Sequence, residues 1–83
     1  MPYIKQSMRP QMDSVVAQMD VAGVQANGDL NYILFAYCKH HIEPSYNNYK
    51  NFLGELNEAA EEIRRRLLAP YEDQKIIENG DVD

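Results

Sequence analysis

"SYNNYKNFLGELNEAAEEIRRRLLAPYEDQKIIENG", residues 45–80, decides the fold. Tyr49, Phe52, Leu53, Leu56, Ala59, Ala60, Ile63 and Leu67 recur by threes and fours, which places them on one face of a helix. Ser45 stands where a side-chain oxygen can accept from the first free N–H groups. Glu61–Arg65 and Glu62–Arg66 are spaced i,i+4 in the favourable order on the polar side. Pro70 has no N–H, and its ring clashes with the carbonyl four residues back. A helix over 46–69 is therefore predicted to end or kink at Ala69. Past that point Pro70 has the φ of a first helical residue. Glu72 and Asp73 follow in the first turn, where negative charge is favoured. Ile76 and Ile77 supply a small apolar side, and Asn79-Gly80 is a natural stop. A separate short helix over 70–79 is expected, with "DVD" fraying after it.

Working back toward the N-terminus, Met8, Met12, Val15, Val16 and Met19 fit one helical face. Ser7 is the expected cap, and Pro10 is tolerated in the first turn. Gly23 and "QANGD" end this helix, with Asn27-Gly28 as the turn signal. Asp29 is the expected N-cap of a second helix carrying Leu30, Ile33, Leu34, Tyr37, Cys38 and His41. Pro44 stops it by pushing the residue before it out of the helical region. The four helices fall at about 8–22, 29–42, 46–69 and 70–79. The fold class is all-α: a small antiparallel three-helix bundle with a short extra C-terminal helix, one domain over residues 1–83.

The helix lengths do not match. The third helix runs about 36 Å and the first two about 21 Å each at 1.5 Å per residue. Apolar surface near Leu53 to Ile63, and near Leu67 and Leu68, is left over. A chain of 83 residues also builds only a small core. Its one cysteine, Cys38, excludes an intrachain disulfide. Both arguments predict a homodimer or larger homo-oligomer through Leu53, Leu56, Ile63, Leu67 and Ile76.

The net charge is −5 and is unevenly placed. Residues 1–70 are nearly balanced, whereas Lys75 stands against Glu72, Asp73, Glu78, Asp81 and Asp83 in the last stretch. Non-specific nucleic-acid binding draws its affinity from neutralising phosphates, so nucleic acid is not an expected partner. "MPYIKQSMRP" lacks the apolar run of a signal peptide. No stretch approaches the ~20 apolar residues of a spanning helix. A lone cysteine suits a reducing compartment. A soluble cytoplasmic protein without a membrane partner is expected.

Three clusters hold residue types that carry chemistry. "CKHHIEP" brings Cys38, His40, His41 and Glu43 together, and Cys38 and His41 share a helix face. A structural zinc site wants four ligands, commonly as two pairs, and here there is one pair. Cys38 as a core residue, with histidines at a helix C-terminus, accounts for it, so neither metal nor other cofactor is expected. Arg64, Arg65 and Arg66, with Tyr71 nearby, could grip a phosphate, because the guanidinium fork suits it. Against this, consecutive helix residues fan 100° apart, and Glu61 and Glu62 are close enough to neutralise two of them. An arginine could also pair with Glu72 or Asp73 across a bend at Pro70. Tyr46 and Tyr49 with Asn47, Asn48 and Asn51 make a polar-aromatic helix start that could stack bases or form protein contacts. Half-buried helix tyrosines are the favoured reading. There is no Gly-rich phosphate loop, no HExxH and no Gly-x-Ser-x-Gly, so an enzyme is not expected.

"MPYIK" at 1–5, "GDLNY" at 28–32 and "RRR" at 64–66 followed by "APYEDQKIIENGDV" at 69–82 form a recognisable set. With them the chain resembles a family of small phage and bacterial proteins regarded as a domain of unknown function. The resemblance implies a phage or phage-like source and supplies no catalytic residue. The residues themselves point to a small homo-oligomeric protein-interaction or assembly module. The alternative is a nucleotide or nucleic-acid binder using Arg64–Arg66 and nearby tyrosines.

Overall fold

The computed structural model describes residues 3–82, and every element among them is helical. A 3-10 turn, Gln6–Met8, leads into α1, Arg9–Val21. Then come α2, Gly28–His41, and α3, Tyr46–Ile63. A π-helical turn, Arg64–Leu68, joins α3 to α4, Ala69–Asn79. Met1, Pro2 and Asp83 lie outside the described residues, and with them the first two letters of the "MPYIK" motif and the last of the expected frayed end. The chain forms two compact units, one of Tyr3–Phe52 and one built on Leu53–Asp83. Contacts between elements are sparse, and those that touch most are neighbours in sequence.

In the first unit each helix boundary has its own chemistry. Ser7 does not cap α1: of the two N–H groups a cap there could serve, that of Arg9 already donates to Gln6 and Pro10 has none. Instead Ser7 lies in the 3-10 turn, where the Met8 N–H donates to the Lys5 carbonyl at 2.9 Å and the Arg9 N–H to Gln6. Arg9 Nε ties the entry down by donating to the Ile4 carbonyl at 3.2 Å. The end of α1 is a Schellman motif. Gly23 takes φ +73°, its N–H donates to Asp20, and the Val24 N–H reaches back to Met19 at 3.1 Å. Met19 and Val24, the apolar pair this motif brings together, are both half-buried.

The cap of α2 is Asn27 rather than Asp29. Asn27 Oδ1 accepts from the Asp29 N–H at 2.8 Å. Asparagine and aspartate cap about equally well, so the earlier of the two takes the role. Asp29 moves into the first turn, where its carboxylate accepts from the Gln25 N–H at 3.3 Å. α2 ends at His41, with Ile42 extended ahead of Pro44 as expected. Ser45 then caps α3, its Oγ accepting from the Asn48 N–H at 2.9 Å. Asn48 Nδ2 fixes the connection by donating to the Glu43 carbonyl. Leu30, Ile33, Leu34, Cys38, Ile42 and Phe52 are half-buried. Tyr37 and Phe52 stack with ring centroids 6.4 Å apart.

The second unit departs from expectation just before Pro70, at Arg64–Leu68. The backbone stays helical from Leu53 to Asn79, but not as one α-helix: α3 ends at Ile63, and α4 opens at Ala69 with Pro70 in its first turn, as expected, joined to α3 by the π turn. Ile63, Leu68 and Ala69 all keep right-handed helical angles. The strain is absorbed upstream, where the Ala69 N–H donates to the Arg64 carbonyl five residues back. That wider turn gives the proline ring room against the preceding turn, where a strict α-helix would set it on the Arg66 carbonyl. α4 ends as expected: Gly80 takes φ +85° and its N–H donates to Ile76 at 2.8 Å.

Candidate interaction surface

α3 is the most sharply amphipathic of the helices. Its apolar positions are those the periodicity selects, yet no described residue of the chain is buried. Leu56 is half-buried, whereas Leu53, Ile63 and Leu67 are 60%, 56% and 66% exposed. Ile76 is also exposed. The expected self-association residues therefore line a helical path of 18, 5 and 11 residues through α3, the π turn and α4. That path has a contour length of about 51 Å. An open hollow of about 280 Å³ lies along it, lined by Glu62, Ile63, Arg66 and Leu67.

The arginines lie beside this surface. Glu62 is the half-buried acid of the group, and Arg65 Nη2 donates to both its oxygens at 3.0 and 2.9 Å. Arg66 Nη1 stands 3.9 Å from the same carboxylate. Thus the expected Glu62–Arg66 pair is present but loose, and Arg65 turns to Glu62 through an i,i+3 contact. Glu72 stands in the first turn of α4, beyond the arginines of the π turn. Asp73 lies about 10 Å further along the axis than Arg66 at helical rise. Tyr71, the aromatic expected beside the arginines, has Lys75 Nζ 5.4 Å from its ring centroid. Lys75 is itself held by Glu78 at 2.9 Å. The exposed Tyr46 has Lys50 5.7 Å from its centroid.

The cysteine–histidine segment sits at the end of α2. Lys39, His40 and His41 occupy its last turn, where cations meet the partial negative charge of the helix end. Cys38 is half-buried, and His41 rests its ring 5.2 Å from that of Tyr37. Among the described residues no group of three or more His, Cys, Asp or Glu is placed to hold a metal ion. None of their helices is long and apolar enough to cross a membrane.

Sequence reasoning missed two features. One is Glu62 as the shared acceptor for Arg65 and Arg66, since i,i+4 spacing assigns one acid to each. The other is the π turn, whose signal is Pro70 inside a run that offers no capping residue.

The family model described as Domain of unknown function (DUF6899) matches residues 1–82. The chain belongs to this family. No curated protein and no solved structure matches it. Membership in DUF6899 attaches no chemistry to any residue.

Proposed function

We propose that this chain is a small homo-oligomeric interaction or assembly module that works through its helical surface and not by catalysis. The observation that carries this reading is the uncovered stripe of Leu53, Ile63 and Leu67 on a helical path far longer than α1 or α2. A second copy supplies an element of the same length. Fully covering a leucine or isoleucine is worth about 1.5–3 kcal/mol, so six such side chains in a dimer bring up to about 9–18 kcal/mol. Association costs roughly 4–15 kcal/mol, so a surplus remains only if most of the stripe is covered. The short connections between helices favour an antiparallel three-helix bundle within each copy. The half-buried, single Cys38 suits the reducing cytoplasm. The motifs at both ends of the sequence support a phage-derived source.

Native mass spectrometry and sedimentation velocity across micromolar concentrations test the proposal. A concentration-dependent dimer or larger species is expected. A monomer throughout overturns it. A discrete added mass in the nucleotide range replaces it with anion binding at Arg64, Arg65 and Arg66.

A further inference from the structure

The stripe over residues 53–67 has a centre. Its members are Leu53, Leu56, Ala59, Ala60, Ile63 and Leu67. Read from either end they run large, large, alanine, and back again. The midpoint lies between Ala59 and Ala60, and both alanines are exposed. Matching each member with its mirror image sets Leu53 against Leu67, Leu56 against Ile63 and Ala59 against Ala60, all to within about 1.5 Å along the axis. A two-fold axis through that midpoint, perpendicular to the helix, brings these pairs together between two copies. The small alanines at the centre let the two helix axes approach to about 8 Å, the close end of helix packing.

The charges beside the stripe obey the same centre. Glu55 and Glu62 stand at i,i+7 in α3 and so share one flank. Arg66 belongs to that flank as well: its Nη1 is 3.9 Å from Glu62, and both line the hollow with Ile63 and Leu67. An antiparallel two-fold sets each flank against the same flank of the partner. Arg66 then falls within about 3 Å, along the axis, of the level of the partner's Glu55. That offset is within reach of an arginine side chain, and the two-fold makes the pair twice. Glu62 lies nearer the axis and is already met by its own Arg65. A parallel pair in register does the opposite. It puts Arg64, Arg65 and Arg66 of both copies at one level, where like charges repel.

We infer that two copies pair through residues 53–67 in antiparallel, about a two-fold axis at Ala59 and Ala60, with Arg66 of each copy against the partner's Glu55. The pairing rests on the reading of the stripe as a self-association face, and it gives that face a direction and a register.

Spin labels on the full chain with Cys38→Ser test the direction. One label is carried at Glu61→Cys, close to the axis, or at Asp73→Cys, well beyond it, and neither position belongs to the stripe. Pulsed dipolar spectroscopy is expected to give about 25 Å between copies at 61 and at least about 40 Å at 73. Distances below about 30 Å at both positions mean a parallel pair, and a longer distance at 61 than at 73 puts the axis elsewhere. Either result overturns the inference and leaves self-association standing. A monomer by sedimentation at every concentration removes self-association, and this pairing with it. Charge exchange tests the register. Glu55→Arg alone and Arg66→Glu alone are each expected to weaken assembly about tenfold at low salt, and the two in one chain to restore it. No loss in either single variant, or no recovery in the double one, overturns the contact between Arg66 and the partner's Glu55.

Discussion

Pro44 and Pro70 belong to different units and have opposite effects on the backbone. Ahead of Pro44, α2 has already stopped at His41, Ile42 is extended, and Ser45 stands ready to cap the next helix. Ahead of Pro70 the residues are Leu67, Leu68 and Ala69, with Tyr71 and Glu72 behind it. All of these tolerate a helix and none is a preferred cap. Stopping there would leave orphan N–H and C=O groups with no side chain to receive them. Widening one turn costs less, and the chain takes that course. A proline breaks a helix where its neighbours can finish the ends, and otherwise distorts it. The same contrast separates the two units more generally. Residues 3–52 hold their boundaries with Gly23, Asn27 and Ser45, whereas residues 53–79 run as one helical path and leave most of their apolar residues outside.

Three variants would break or sharpen that contrast. The largest effect is expected in the second unit. Leu56→Asp with Ile63→Asp places two charges on the stripe and should weaken self-association by about 100-fold or more. Sedimentation should show a monomer whose helical circular dichroism is largely kept. Loss of helicity in step with dissociation would mean that the stripe also holds the chain's own fold together. A smaller effect belongs to the first unit. Gly23→Ala forces a Cβ onto a residue at φ +73° and should cost about 1–2 kcal/mol. Faster amide exchange confined to the end of α1 is the expected readout, and unchanged exchange at Val24 would show that the motif does not hold that boundary. The smallest effect has the opposite sign. A Cβ at Gly54 meets nothing within 4 Å, so Gly54→Ala should raise stability by up to about 1 kcal/mol. A drop in thermal midpoint or in assembly would show that a partner approaches the backbone there.

Much of this was legible in the residues. Gly23, Pro44, Ser45 and Asn79-Gly80 act where their local chemistry says they should, because a positive φ or a cap is decided by one or two residues. The apolar positions of α3 follow from the 3.6-residue period alone. Ser7 and Asp29 were misplaced because two candidates competed for one role. At Ser7 the Arg9 N–H was taken by Gln6 and Pro10 had none to offer, and Asn27 took the cap ahead of Asp29. The opening of α4 at Pro70 was legible, but the π turn ahead of it was not, because that turn depends on what the neighbours of the proline can do. Of the site, the stripe was visible from spacing, but the sharing of Glu62 between Arg65 and Arg66 was not. Rotamers decide that, and spacing does not encode them.

The helical path through Pro70 also bears on how the chain meets proteases. An enzyme that cuts after lysine or arginine needs a few residues of extended backbone in its cleft. Lys39, Lys50, Arg64, Arg65, Arg66 and Lys75 all sit within helical backbone. Had Pro70 opened a loop, the three arginines would have bordered the most vulnerable point of the chain. Kept in the helix, they can be reached only through local unfolding, and the cost of that unfolding becomes their protection.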